Sequence, residues 1–415
     1  MRILWISASI FDEREEFQSG VWQKALAIKL AQSKALVLGN IAPTNDIAEI
    51  KKKPFHNIEQ WGLPKDKIDN NGYPSNTTME RFSWVLNEFN PDIIQIWGSE
   101  NFLKLLPFDS KYNVVKVLTI QGVLGSIASN LLLGLSYRDI ISTIGLREII
   151  TMNNLLSIKK SFVADGKIEK EMVMRSNFII TQSDWTDSQI GYLNPNAKRY
   201  RTHRALRNQF ISCEKWLNFK HFSPIIYSAS IGYSLKGLHI LIRALILVKK
   251  QFPNVELRLA GAVGRKDFLG DGYYLYILRL IKNNNLERNV TFLGAITANE
   301  IVENLQKSSV FVNPSFVESY SMAFAEAMSV GTPSVISFAG AMPELADNNK
   351  EALFYSPGDF KRCAYLICKL LSNSELSKFI SENAVKRSDE RNVKFDIVDE
   401  QIKIYEDILQ NIKLA

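Results

Sequence analysis

The 415-residue chain has few of the residues that build metal or disulfide centres: three cysteines (Cys213, Cys363, Cys368) and four histidines (His56, His203, His221, His239). Cysteines so few and scattered form neither a disulfide framework nor a zinc knuckle, and a reduced, cytoplasmic setting is expected. The histidines show no H-E-x-x-H or similar spacing, so no catalytic metal is expected. Also missing are the G-x-G-x-x-G and P-loop spacings of dinucleotide and ATP sites, and the G-x-S-x-G elbow of serine hydrolases. Long apolar runs are lacking as well. The longest uncharged stretch, residues 117–137, contains Gln121, Asn130 and several Gly and Ser residues, so it is not read as a membrane span. Residues 1–7 read as a strand rather than a secretory signal, and the sequons at Asn76 and Asn289 then carry no weight.

What remains is ordinary globular chemistry. Hydrophobic residues make up 46% and charged residues 22%, with 50 Lys+Arg against 43 Asp+Glu for a net charge of +7. Disordered and fibrous classes are thereby excluded, and the length suits two domains. The bases are interspersed with acids except at Lys51-Lys52-Lys53, and no zinc-finger, RNP or basic-zipper pattern occurs. Nucleic acid is therefore not an expected partner.

Short β-rich runs alternate with helical patterns almost throughout. Strands are expected at residues 3–7, 35–41, 92–97, 114–120 and 178–182, then at 224–228, 255–260, 290–293, 310–313, 334–337 and 353–355. Between them lie amphipathic stretches such as 21–31, 237–250, 273–284, 298–306 and 322–330. Apolar runs of strand length separated by helices imply parallel sheets covered on both faces. The pattern restarts near residue 223, after a polar, basic stretch at 194–220 that reads as a hinge. The fold class is thus α/β with two Rossmann-like domains facing across a cleft, residues 1–203 and 204–392, followed by a helix at 393–415. Residues 127–162 mix Leu, Ile and Met with Arg138, Arg147, Lys159 and Lys160, and read either as a core helix pair or as a surface meeting a lipid-linked acceptor.

The chemistry concentrates in residues 313–328, a strand end, a loop and a helix. Ser319 is a suitable N-cap, and the amides after it suit an anion. Glu318 stands in the loop and Glu326 inside an apolar helix, where a lone carboxylate is costly to bury without a partner. A core arginine is one such partner; a ligand with hydroxyls beside a phosphate is another. Lys236-Gly237 opens an earlier helix, where a cation opposes the helix dipole unless an anion is close. Gly20, between the first strand and first helix, leaves backbone open to a ligand.

Lys236-Gly237, Pro314-Ser315-x-x-Glu318-Ser319, Glu326-Ala327-Met328, Gly331-Thr332-Pro333 and Gly340-x-x-x-Glu344 together resemble the retaining glycosyltransferases of family four (group 1), which have the GT-B fold. Glu318 and Glu326 are separated by seven residues, as in that family's E-x7-E motif. Residues 90–100 and Thr119-Ile-Gln-Gly122 look like its amino-terminal half. The resemblance implies an acceptor-side first domain and a second domain that binds a nucleotide-diphosphate sugar. Glu318 would hold hydroxyls of the transferred sugar and Glu326 the nucleotide ribose, while Lys236 and the amides of Ser319, Tyr320, Ser321 and Met322 would hold the diphosphate. Gly20 would approach the same phosphates, and Gln121 stands where the family commonly has a histidine that contacts acceptor or sugar. Ser230 and Ile231 occupy the place of a usual arginine, for which Arg204 or Arg207 is a substitute, and Ser321 replaces a usual glycine.

The resemblance implies a metal-independent hexosyltransferase that needs no cofactor beyond its donor and acts on a saccharide or lipid-linked acceptor in surface-polysaccharide synthesis. It would work in the cytoplasm, with a peripheral contact at the inner membrane face left open. The alternatives are a sugar-nucleotide-binding subunit without catalysis and a GT-B-fold sugar-nucleotide epimerase.

Overall fold

A computed structural model describes all residues except 14–20, 46, 205, 218–223, 265–269, 395 and 414–415. The chain forms two compact units. Unit 1 comprises Met1–Gly125, Val163–Ala205 and Phe395–Ala415; unit 2 comprises Ser126–Phe162 and Leu206–Lys394.

Unit 1 is built on eight strands: β1 (Arg2–Ile6), β2 (Val37–Thr44), β3 (Lys51–Lys52), β4 (Ile58–Pro64), β5 (Ile93–Trp97), β6 (Val115–Thr119), β7 (Phe178–Thr181) and β8 (Lys198–Arg201). Their order is β3-β4-β2-β1-β5-β6-β7-β8, parallel except for the β3–β4 pair. Successive side chains of a strand point to opposite faces, so Leu4 and Ile6 enter one core with Phe82 and Phe89, and Ile3 and Trp5 enter another. The second core is completed by Ile404, Tyr405 and Ile408 of the helix Ile397–Lys413. The buried Tyr405 hydroxyl accepts the Trp5 indole N–H at 2.9 Å and donates to the Gln95 side chain.

Unit 2 carries six parallel strands: β9 (Ile225–Ser228), β10 (Glu256–Ala260), β11 (Val290–Gly294), β12 (Val310–Asn313), β13 (Ser334–Ser337) and β14 (Leu353–Tyr355), in the order β11-β10-β9-β12-β13-β14. Successive connections from β9 run to one side and those from β12 to the other, so the order reverses between β9 and β12. Every residue of β9, β12, β13 and β14 is buried, as a sheet covered on both faces requires. Helix Leu238–Gln251 packs Leu241, Leu245 and Val248 into one core, and helix Met322–Val330 packs Phe324 and Met328 into the other.

The expected strands all form, within a few residues at their ends. Three further strands have no clear apolar alternation. β4 carries Gln60 inward, where its amide group exchanges hydrogen bonds with the Phe11 backbone at 2.9 and 3.0 Å. β8, Lys-Arg-Tyr-Arg, is a charged edge strand lying inside the stretch read as a hinge, so that stretch is partly sheet. β3 is a two-residue edge strand of lysines.

Residues 127–162 do not make a core helix pair. They run through helices Leu124–Asn130, Tyr137–Ser142, Leu146–Thr151 and the start of Leu155–Met174, and most of their large apolar side chains are exposed. Among the described residues no helix is long and apolar enough to cross a membrane.

Candidate functional site

Parallel sheets offer ligands a crevice at the carboxyl ends of the strands, where the strand order reverses. In unit 2 that point lies between β9 and β12, and the loops that follow those two strands carry Lys236 and Glu318. Their proximity follows from topology rather than from sequence distance.

After β9 the chain makes a single 3-10 turn, Ser234–Lys236, and Gly237 starts helix Leu238–Gln251 in a left-handed conformation (φ 70°). A β-carbon there would sit 2.1 Å from the Pro314 carbonyl oxygen, so only glycine lets the two loops approach. The Phe316 amide donates to the Leu235 carbonyl at 2.9 Å and ties the loops together. From this turn the Lys236 Nζ donates to Glu318 Oε1 at 2.8 Å. The Ser315 hydroxyl donates to the same oxygen at 2.8 Å. On the far side, Gly340 (φ 55°) brings its backbone so close that a β-carbon would lie 2.1 Å from the Glu318 carbonyl, which itself accepts the Ala341 amide at 2.8 Å. Glu318 is therefore fixed through side chain and backbone alike. Its Oε1 takes both contacts, and a carboxylate retains acceptor capacity on the other oxygen.

Burial lowers the lysine pKa, but the Glu318 charge and its hydrogen bond outweigh that and hold Lys236 above its ordinary value. Lys236 is thus a settled cation. Its side chain is still about one-third exposed (32%), so it has N–H donors left for a ligand. This changes the electrostatic argument made from sequence: the anion that offsets the lysine at the helix start is Glu318.

Glu326 lies deeper, 7% exposed in helix Met322–Val330. Arg207 donates to its Oε1 at 2.8 Å while stacking over the Phe210 ring. Desolvation raises the Glu326 pKa, and the Arg207 charge and hydrogen bond only partly offset the rise. The buried Tyr227 hydroxyl, near enough to feel the Glu326 charge, has no hydrogen-bond partner among the described residues. The core-arginine pairing is therefore what the structure shows for Glu326, with one carboxylate oxygen carrying it.

The helix cap is Ser321, not Ser319. Its hydroxyl accepts the Phe324 amide at 3.4 Å and the Asn313 side-chain amide at 2.8 Å. The loop from Asn313 needs two more residues to turn into the helix, and a hydroxyl at 321 caps where the family pattern has glycine. Ser319 and Tyr320 are buried in the loop before it, and Met322 is the first helical residue. Ser230 is buried with its hydroxyl 2.6 Å from that of Ser228, so the usual arginine position points into the unit. Of the two substitutes, Arg207 pairs with Glu326, and Arg204, in unit 1, donates to Gln182 at 2.6 Å and lies over Trp22. Gln121 belongs to unit 1, just past β6, and Gly20 lies outside the described residues. Sequence reading gave Ser315 no role of its own. Its place in the Pro-Ser-x-x-Glu motif was the available signal, because a hydroxyl three residues before a carboxylate can reach it across a turn.

Residues 214–387 match the family described as glycosyl transferases group 1. The chain is 26% identical over 202 residues to an uncharacterized glycosyltransferase of Methanocaldococcus jannaschii, which covers 47% of this chain and 49% of that protein. The match thus spans about half the length of that curated relative. Among solved structures, sucrose-phosphate synthase from Thermosynechococcus elongatus superposes with a TM-score of 0.75 at 14% identity over 99% of both chains. Anabaena Alr3699/HepE in complex with UDP and glucose superposes with a TM-score of 0.65 at 16% identity over 98% of this chain and 99% of that one. At those identities the likeness establishes the fold, which is GT-B.

Proposed function

We propose that the chain is a retaining, hexosyltransferase-type enzyme that moves a sugar from a nucleoside-diphosphate sugar to a saccharide or lipid-linked acceptor. Surface-polysaccharide synthesis in the cytoplasm, at or near the inner membrane face, is the setting we assign to it. The observation that carries the reading is the Lys236–Glu318 pair at the reversal point of the unit 2 sheet. A cation and a carboxylate fixed side by side suit a donor whose phosphates and sugar hydroxyls are themselves neighbours. The UDP and glucose held by the Anabaena protein of the same fold support that donor chemistry.

In this reading Lys236 and the amides of Ser319 to Met322 hold the diphosphate, and the second oxygen of Glu318 accepts sugar hydroxyls. Glu326 accepts the ribose hydroxyls with the oxygen that Arg207 leaves open. During transfer the bond from the anomeric carbon to the diphosphate oxygen breaks, and a bond from the acceptor oxygen forms on the same face. The acceptor proton passes to the departing diphosphate. Charge grows on that oxygen as the bond breaks, and a preorganised lysine stabilises it most at that moment. Lys236 supplies the cation, so transfer should survive chelators.

The test is Lys236→Ala with calorimetry against UDP, GDP and ADP. Loss of a charge-assisted contact costs about 2–4 kcal/mol, or roughly 30- to 800-fold in affinity. The nucleoside diphosphate that binds wild type should weaken by about that factor, and the matching nucleoside should not. Equal binding by the variant would place the phosphate site elsewhere. Free nucleoside diphosphate released only with acceptor present would exclude a binding subunit and an epimerase.

A further inference from the structure

Helices Tyr137–Ser142 and Leu146–Thr151 are built inside out. No residue of the first is buried, and the only buried residue of the second is the carboxylate Glu148. Among the described residues 22 large apolar side chains are exposed, and nine of them fall in residues 133–156. Tyr137 is 77% exposed, Ile149 and Ile150 each 65%, and Met152 78%, with Ile141 and Leu156 at least half exposed beside them. So many exposed apolar side chains within 24 residues of sequence mark an interaction site rather than ordinary surface scatter.

What holds these helices to unit 2 is polar. Asp139 accepts from Arg243 at 2.8 Å and from the Tyr276 hydroxyl at 2.9 Å. Glu148 accepts the Gly272 and Gly145 amides, each at 2.9 Å. Both acids of residues 136–160 are thereby turned inward and occupied. The bases of the same stretch are Arg138, Arg147, Lys159 and Lys160. Arg147 bridges Glu148 and Asp271, whereas Arg138 and Lys160 are exposed. The stretch therefore exposes apolar residues and positive charge while both of its acids are engaged in hydrogen bonds.

We propose that this face docks unit 2 on an anionic lipid bilayer, with Ile149, Ile150 and Met152 entering the headgroup boundary and Arg138, Lys159 and Lys160 meeting acidic headgroups. Interfacial segments hold to membranes by that combination of apolar burial and electrostatic attraction. A second copy of the chain fits less well, because a self-complementary contact would bring the same bases towards one another. The proposal is independent of the donor site, since vesicle binding is read without donor or acceptor.

The experiment is flotation of the full chain with phosphatidylcholine vesicles, with and without phosphatidylglycerol. Wild type should float with phosphatidylglycerol vesicles at low salt and much less with phosphatidylcholine alone. The variant Arg138→Gln/Lys159→Gln/Lys160→Gln should bind about 100-fold more weakly, at roughly fivefold per charge. The variant Ile149→Ser/Ile150→Ser/Met152→Ser should stop floating while melting as wild type does. Equal flotation on both vesicle types, no flotation at low salt, or unchanged flotation by either variant would overturn the proposal. A dimer in solution that the serine variant dissociates would also overturn it and assign the face to a second copy.

Discussion

In helix Met322–Val330 the side chains of Phe324, Ala325, Ala327 and Met328 are buried, and so is Glu326 with its arginine. In helices Tyr137–Ser142 and Leu146–Thr151 the arrangement is reversed, with a carboxylate inside and isoleucines outside. Both regions belong to unit 2, and each satisfies an acid with an arginine or with backbone amides. They differ in what the apolar residues are for. In the first they are the core that fixes a binding loop. In the second they contribute little to the fold, and polar anchors hold the helices in place.

Three substitutions sharpen that contrast. Phe324→Ala removes a fully buried ring from the core beneath Glu318 and Ser321, and should lower stability by about 3–5 kcal/mol in denaturant titration. A loss below about 1 kcal/mol would show that this core is not what fixes the loop.

The second prediction concerns the anchor. Burial alone would raise the Asp139 pKa, but hydrogen bonds from Ser136 and Tyr276 and the Arg243 charge bring it down to about 2. A depressed carboxylate stabilises the fold above its unfolded pKa of about 3.9, and that contribution is lost as pH falls through the folded value. Asp139→Asn should therefore cost about 2 kcal/mol at pH 7, with the gap to wild type closing between about pH 4 and pH 2. A gap that does not change with pH would mean that the anchor is steric rather than ionic.

The smallest effect is expected for Ile149→Ser, which should change stability by no more than about 0.5 kcal/mol, as exposed sites do. A cost like that of Phe324→Ala would show Ile149 buried in solution and would erase the contrast.

Much of this architecture was legible before the coordinates. Parallel strands buried on both faces announce themselves as short apolar runs, and β12, β13 and β14 fall where the runs end. Edge strands do not, because β3 and β8 are built of Lys, Arg and Tyr and carry no apolar run. The Lys236–Glu318 neighbourhood was legible only as a motif. Eighty-two residues separate the two, and their contact depends on which strands lie side by side, which spacing along the chain does not encode. The cap at Ser321 was misplaced because Ser319 and Ser321 offer the same hydroxyl, and loop length alone decides between them. For residues 127–162 composition could not separate inward from outward. A helix with an apolar face looks the same whether protein or another surface covers it.

The pairing of Tyr405 with Trp5 and Gln95 also sets an order of events during synthesis. β1 leaves the ribosome before any of unit 2, yet the side chains that close its outer core come some 400 residues later, after the whole of unit 2. Domains tend to fold as they emerge. Here unit 2 can finish first, while β1 waits with Trp5 uncovered until helix Ile397–Lys413 arrives. A nascent chain halted before that helix should hold a folded unit 2 beside an unfinished unit 1, the reverse of the order in which their first strands were made.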